Sequence, residues 1–242
     1  MTHVVHPYSH RLGIIRDWKS RWFGKTTTSY VDHLRADVLV RAWLTKRLRG
    51  MYLSLIEMER SEKQYRIMIH TSRPGMIIGR GGDGIEKLRA ALKKEMHRLK
   101  IIVPQDVKLD IVEVANPEAD AAIVAAMIAE GIEKRLPFRR VLKTTIEKVM
   151  ANRDVKGIRI ISSGRLGGAE MARKEEIKKG RIPLQTLRAD IDFSRETATL
   201  PYGAIGVKVW IYRGDIFADR KANADEQATK KERQDRRTTP RA

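Results

Sequence analysis

Apolar and polar positions along this chain recur with two periods, and the changes of period mark the elements. From Ser29 the residues Val31, Leu34, Val38, Leu39, Ala42 and Trp43 recur at helical spacing, and the pattern ends near Gly50. The period then drops to two. Ile56 and Met58 alternate with Glu57 and Glu59, and Tyr65, Ile67 and Ile69 alternate with Arg66 and His70; the polar stretch Ser61 to Lys63 predicts a hairpin turn between them. Pro74 to Ile78 predicts a short helical turn running into a glycine-rich loop. Ile85, Leu88, Leu92, Met96 and Leu99 share one face of a second helix, and Val107, Leu109 and Ile111 alternate with Lys108 and Asp110 as a third strand. The predicted order is helix, strand, strand, short helix, loop, helix, strand.

A second unit begins at Asn116-Pro117, a capping residue followed by proline at the first helical position. Its helix is expected to reach Leu136. Pro137 stops that helix and opens another, with Phe138, Val141, Leu142, Ile146, Val149 and Met150 inward. Three or four strands follow, and three can be placed: near Val155 to Ser162, Leu187 to Ser194, and Ile205 to Tyr212. Leu187, Ala189, Ile191 and Phe193 alternate with Arg188, Asp190, Asp192 and Ser194. The expected class is α+β. An arm over 1–28 leads to one domain over 29–115, and two helices on a mostly antiparallel sheet fill 116–218. Beyond, charged and small polar residues dominate, so 219–242 reads as a disordered charged tail.

Charge narrows the partner. The 242 residues carry 49 Lys and Arg against 30 Asp and Glu, a formal net charge of +19, with a pI near 10.3. Such an excess attracts polyanions, and each phosphate it neutralises releases counterions. Membrane surfaces are anionic too. However, no apolar run approaches the ~20 residues of a bilayer span, and Met1 to Tyr8 lacks the apolar core of a secretory signal. Lipidation motifs are missing, because Gly is not second and there is no cysteine. Zero cysteine also excludes disulfides, thiolate metal sites and cysteine nucleophiles, and fits a reducing compartment. In the arm, Trp18, Trp22 and Phe23 lie among Arg11, Arg16, Lys19, Arg21 and Lys25. Two readings stand side by side: docking on RNA or a neighbouring protein, or anchoring on the chain's own domain.

The loop Gly79-Arg80-Gly81-Gly82-Asp83-Gly84 fits both the GxGxxG dinucleotide fingerprint and the GxxG loop that clamps single-stranded nucleic acid. Residues without Cβ let the backbone approach phosphate, and the next helix offers free N–H groups. A dinucleotide site needs a strand running straight into the loop, within repeated parallel βαβ units. Pro74-Gly75 breaks the strand first, and no such unit is evident. The following helix carries Lys87, Lys94 and Arg98, a basic stripe suited to a polynucleotide. Gly79, Arg80, Gly81, Gly82 and Lys87 are the candidate RNA contacts here; a plain glycine turn is the bland alternative.

This element order with this loop resembles a type II KH domain, so the expected fold is an N-terminal KH domain followed by the two-helix domain. Longer motifs extend the resemblance. Val5-His6-Pro7, Arg11-Leu12-Gly13-Ile14 and Trp18 to Phe23 resemble the opening of the bacterial small-subunit ribosomal protein three family, as does His70 to Gly75 running into Ile78-Gly79-Arg80. Ser163-Gly164-Arg165-Leu166-Gly167-Gly168-Ala169-Glu170, Leu187 to Asp192, and Tyr202 to Ile211 match more tightly, and the resemblance covers about Met1 to Phe217. It implies a cytoplasmic ribosome component on the small-subunit head, in contact with small-subunit ribosomal RNA and with ribosomal proteins ten and fourteen. It further implies a place at the messenger RNA entrance channel, near proteins four and five. Thr2-His3-Val4 and Gly81 depart from the family's usual residues, and Lys93 to Pro104 looks slightly extended.

Arg139, Arg140 and Lys143 sit in the first turns of the helix after Pro137, outward together if Phe138, Val141, Leu142 and Ile146 face in. Cations there oppose the helix dipole, where a sequence chosen for stability alone would place Asp or Glu. The resemblance places these residues at the messenger channel, so they are expected to grip messenger phosphates; a solvated charged face is the bland reading. Arg165, in the second glycine loop, is a further candidate RNA contact, beside the reading of that loop as a turn between strands. Gly24-Lys25-Thr26 mimics the end of a phosphate-binding loop, but Lys19 stands where its first glycine is required. His3, His6 and His10 share no helix and have no further ligand nearby. Asp190 and Asp192 share a strand face with Arg188, which suggests ordinary ion pairing. No catalytic residue, metal site or cofactor is expected. The rival functions are a free KH-type RNA regulator, which would not need the second half, and a nicotinamide enzyme, which would need the loop on a parallel sheet.

Overall fold

The computed structural model describes residues 5–61, 64–99, 101 and 106–217. The Thr2 to Val4 departure, turn residues Glu62 and Lys63, most of the segment before Asp106 and the charged tail lie outside them. Thr26 starts the first helix: its Oγ1 accepts from the Ser29 N–H at 3.3 Å, and Ser29 Oγ accepts from the Thr26 N–H at 3.0 Å. This reciprocal cap gives the Gly24-Lys25-Thr26 stretch a structural role as the lead into α1 (Thr27–Arg47). A four-stranded sheet follows, in the order β1 (Ser20–Arg21), β2 (Leu53–Arg60), β3 (Gln64–Thr71), β4 (Asp106–Glu113). Between β3 and β4 come α2 (Pro74–Ile78), a 3-10 turn at Arg80–Gly82 and α3 (Asp83–Arg98).

Val40 and Leu44 of α1 and Leu92 and Met96 of α3 share one core with Met58, Tyr65, Ile67 and Ile69. The helix periodicity located α1, but its buried side is Ala36, Asp37, Val40 and Leu44. Val31, Leu34 and Val38 remain exposed. A second difference concerns topology. β2 and β3 are antiparallel, but β3 and β4 run parallel, so α2 and α3 form one parallel crossover that the sequence had not revealed. β1, α1 and β2 make a second parallel connection, but β1 has only two residues, and α2 separates β3 from the glycine loop.

Asp37 explains the polar residue inside this core. Its carboxylate accepts from Trp22 Nε1 at 2.7 Å, Arg60 Nη2 at 3.0 Å and Tyr65 Oη at 3.0 Å. Three separate segments are thereby pinned to α1, and burial beside the Asp37 carboxylate pushes the Tyr65 hydroxyl far above its ordinary range.

The second domain starts differently from expectation. Pro117–Ala119 is a 3-10 turn, and α4 (Ala121–Glu133) is capped by Asp120, whose Oδ1 accepts from Ala122 N and Ile123 N. Asn116 instead donates to Asp154. Then come α5 (Phe138–Ala151) and the strands β5 (Gly157–Gly164), β6 (Arg173–Gly180), β7 (Ala189–Leu200) and β8 (Gly203–Asp215). All pairings in the sheet β6-β5-β8-β7 are antiparallel. The helices pack with Ile158, Ile160, Val207, Val209 and Ile211. A second cluster, Ile161, Ala189, Ile191, Trp210 and Tyr212, forms a further core.

The arm closes on that second cluster. Arg11 is fully buried and donates to the carbonyls of Ala189 (2.6 Å), Pro7 (2.9 Å), Thr186 (2.9 Å) and Leu184 (3.1 Å). His6 packs edge-on against Phe193, and Arg16 pairs with Asp190 at 2.6 Å. Anchoring is therefore the role of Arg11, Arg16 and Trp22, while Trp18 and Phe23 stay exposed. Asp192 pairs with Arg213 and accepts from Ala121 N. Arg188 pairs with Asp215, so Asp190 and Asp192 are ion-paired, but not through Arg188. Tyr52 to Glu130, Ser54 to Asp120 and Arg49 to Glu133 hydrogen bonds join the two domains.

Candidate nucleic-acid interface

Two cationic features stand out, one in each domain. The first is the loop between α2 and α3. Pro74 begins α2 and Gly79 ends it at φ 71°, ψ −178°, a conformation open to glycine almost alone. Gly81 (φ 64°) and Gly82 (φ 88°) carry the chain through the left-handed region into α3. Gly84 is required by space: a Cβ there would lie 2.7 Å from the Ile78 carbonyl oxygen and nearer still to that of Ile77. Gly79, Arg80 and Gly81 are exposed and Gly82 is half-buried. Arg80 has no ion-pair partner among the described residues. Lys87 is exposed but lies 3.9 Å from Asp83, one turn back, so an acidic neighbour moderates the positive field at this helix start.

The second feature lies at the start of α5. α4 ends in a Schellman turn, with Arg135 N donating to Ile132 O and Leu136 N to Gly131 O. The left-handed position of such a turn usually holds glycine; here Arg135 occupies it at φ 60°, at a cost of roughly 1 kcal/mol. Pro137 then precedes α5 without a side-chain cap, and its first turn contains no acidic residue. Val141 N makes the first bond back, to Pro137 O, which leaves the N–H groups of Phe138, Arg139 and Arg140 pointing out of the helix end. The 3-10 turn Leu166–Gly168 and the β7–β8 turn meet this end. Arg165 donates to Ala169 O at 2.9 Å and Tyr202 O at 3.2 Å, stapling the two turns together. Between them is a cavity of about 470 Å3, lined by Arg135, Leu136, Phe138, Pro201, Tyr202 and Ile205 among others.

The structure thus brings Arg139, Arg140, Lys143 and Arg165 into one region of the second domain, with Gly79 to Lys87 in the first. All three α5 cations are exposed, yet they do not act alike. Arg139 is drawn to edge strand β6 by a two-pronged pair with Glu175, at 2.9 and 3.2 Å. That pairing holds Glu175 below the usual carboxylate range and raises Arg139. Arg140 borders a groove between α4 and α5 with Lys148, and neither it nor Lys143 has an ion-pair partner among the described residues. All three project outward as expected, but Arg139 is engaged by Glu175, on a strand that the sequence pattern does not place. Arg135, Tyr202 and Arg173 were also missed. The Pro201-Tyr202-Gly203 turn was their one visible signal, an aromatic ring at the tip of a hairpin.

A type II KH fold joined to a cation-lined α+β domain defines a polynucleotide-binding protein of two domains. Comparison with known proteins agrees. Residues 39–119 match the family described as KH domain, and residues 128–211 match Ribosomal protein S3, C-terminal domain. The chain is 44% identical to small ribosomal subunit protein uS3 of Clostridium novyi (strain NT), over 93% of this chain and 99% of that one. It is 43% identical to the uS3 of Clostridium perfringens (strain SM101 / Type A), over 94% and 99%. This chain belongs to the uS3 family of small-subunit ribosomal proteins. That membership spans both domains, which sets aside the free KH regulator and the nicotinamide enzyme.

Proposed function

We propose that this chain is a structural constituent of the head of the small ribosomal subunit in the cytoplasm, where it binds small-subunit ribosomal RNA and helps form the messenger RNA entrance channel. Ribosomal proteins ten and fourteen would be its neighbours in the head, with proteins four and five across the channel. Two sets of contacts would divide the work. The loop Gly79 to Gly82, with Arg80 and Lys87, presents backbone and cations to single-stranded RNA. Arg139, Arg140, Lys143 and Arg165 present a second cationic surface, on which messenger phosphates would be gripped as paired RNA is opened.

The observation that carries this reading is the start of α5. A helix N-terminus with no side-chain cap, no acid in its first turn, and in Arg140 and Lys143 two cations without an ion-pair partner among the described residues, is a local misfit for stability and a fit for phosphate. The test is translation through a stable messenger hairpin by ribosomes carrying Arg139→Ala, Arg140→Ala and Lys143→Ala together. Slower passage through the hairpin, with unstructured messengers translated normally, supports the reading. Equal rates on both messengers would refute the channel role, and failure of the wild-type chain to sediment with small subunits would refute the ribosomal one.

A further inference from the structure

We propose that the cavity at the start of α5 is a binding site for one unpaired RNA nucleotide, its base lodged against Phe138 and Tyr202 and its phosphate held by Arg135 and the open N–H groups of α5. The inference rests on the RNA-binding reading above and adds to it a site for a base rather than for backbone alone.

The cavity has the two parts that a nucleotide needs. Its walls are apolar and partly aromatic, from Leu136, Phe138, Pro201 and Tyr202, with Ile205 beneath. Its rim is cationic. Arg135 lines it and none of its lining residues is a carboxylate; the guanidinium groups of Arg173 and Arg139, both paired with Glu175, stand 5.7 and 5.8 Å from the Phe138 ring centroid. Bases of any sequence stack on aromatic rings, whereas a base within a duplex has its faces covered, so an occupant of this kind must be unpaired. Three backbone features converge on the same place. The N–H groups of Phe138, Arg139 and Arg140 have no acceptor among the described residues, and the first turn carries no acid to compete for them. Gly167 and Gly168, both at positive φ, keep the facing wall thin: a methyl group at either would lie 4.0 Å from the Phe138 or Tyr202 ring, respectively. Arg135 holds a left-handed position that glycine would fill at less cost. An apolar side chain from a neighbouring protein could also fill the cavity, but would leave Arg135 and the open donors unanswered.

The full-length chain is titrated with a short fluorescein-labelled single-stranded RNA of mixed sequence, and with the same ribose-phosphate backbone carrying no bases. The intact RNA should bind about tenfold more tightly than the abasic one. Tyr202→Ala should remove most of that advantage, and Arg135→Gly should weaken the binding of both strands. Arg135→Gly guards against mere unfolding, since its melting temperature should hold or rise. Equal affinity for the two strands, a full advantage retained by Tyr202→Ala, or undiminished binding of both strands by Arg135→Gly overturns the proposal while leaving backbone binding intact. Loss of all RNA affinity at low salt would sink the RNA-binding reading itself. The source of the nucleotide is read in small subunits assembled with the wild-type or Tyr202→Ala chain and treated with a base-specific chemical probe. A ribosomal base exposed by the variant marks ribosomal RNA, a messenger base exposed only on messenger loading marks the messenger, and no change in either counts against the site.

Discussion

The guanidinium of Arg11 is fully buried and donates from Nε to the backbone carbonyl of Ala189 at 2.6 Å, across 178 residues of chain. Three more carbonyls, of Pro7, Leu184 and Thr186, share the same side chain. A buried cation is tolerated only where its donors find partners, and here backbone oxygens accept from each of the three guanidinium nitrogens in place of a carboxylate. The arm is thereby an integral cover of the second sheet.

Arg11→Ala is accordingly expected to destabilise the protein by roughly 3 kcal/mol, since it opens a cavity and strips several buried carbonyls of a charged donor. Arg11→Lys should rescue only part, because one ammonium cannot span the positions that the planar fork reaches. Urea unfolding gives the cost. Limited proteolysis should show the arm released first; an arm still protected in Arg11→Ala would contradict this account.

Asp37 is the corresponding element of the first domain. Asp37→Ala leaves Arg60, whose side chain is 6% exposed, as an uncompensated buried charge, and should cost roughly 3–5 kcal/mol. Trp22→Phe removes one donor and keeps the ring, so it should cost about 1 kcal/mol. Chemical denaturation of both variants checks the ranking; equal costs would show that Asp37→Ala does not leave an uncompensated buried charge.

The glycines of α2 and α3, on either side of the loop, yield a contrast. Gly84→Ala must push Cβ against the Ile77 and Ile78 carbonyls, which should destabilise by roughly 1–3 kcal/mol and displace the start of α3. Gly75→Ala meets no atom within 4 Å, so it should leave stability unchanged or slightly raised. Thermal melts of the pair decide it.

Period-two patterns made β2, β3, β4 and β7 legible because each is buried mainly on one face. β6, Arg-Lys-Glu-Glu-Ile-Lys-Lys-Gly, was not, since an edge strand dense in charge has almost no apolar alternation to read. α1 shows the limit of helical periodicity: Val31, Leu34 and Val38 gave the element but not its buried side, which includes an aspartate. The start of α4 misled because Asn116-Pro117 has the composition of a cap, while Asp120 has the geometry. Of the candidate site, the glycine loop and the α5 cations were visible as local motifs. The cavity beside α5 was not, because it is assembled from three turns far apart in the chain, and the Arg139 pairing was hidden with β6.

Asp120 gives a pH dependence. Burial, and then the charge of Asp192, hold its carboxyl above the usual range. The folded chain therefore takes up this proton at a higher pH than the unfolded chain does. Between those two values the native state binds more protons, so stability from this group rises as pH falls. Asp120→Asn keeps an acceptor for the α4 cap and removes the titration. The stability of the wild type relative to Asp120→Asn should increase between pH 7 and about pH 4, as read by urea unfolding at a series of pH values. A difference independent of pH would show that the carboxyl does not titrate in that window.

Glu175 offers the sharpest probe of the second cationic surface, because it neutralises Arg139 from outside the helix that carries it. Glu175→Gln removes one negative charge and frees a guanidinium, while the pair is exposed enough that stability should hardly change. If phosphates bind here, RNA affinity at low salt should rise, and the slope of log affinity against log salt should steepen by about one. Arg140→Ala and Lys143→Ala, which break no ion pair, should each reduce the slope by about one. Titrations of the full chain at several salt concentrations separate the cases. A fall in affinity on Glu175→Gln would mean that Glu175 positions Arg139 for contact, and an unchanged slope in all three variants would place the phosphate contacts elsewhere on the protein.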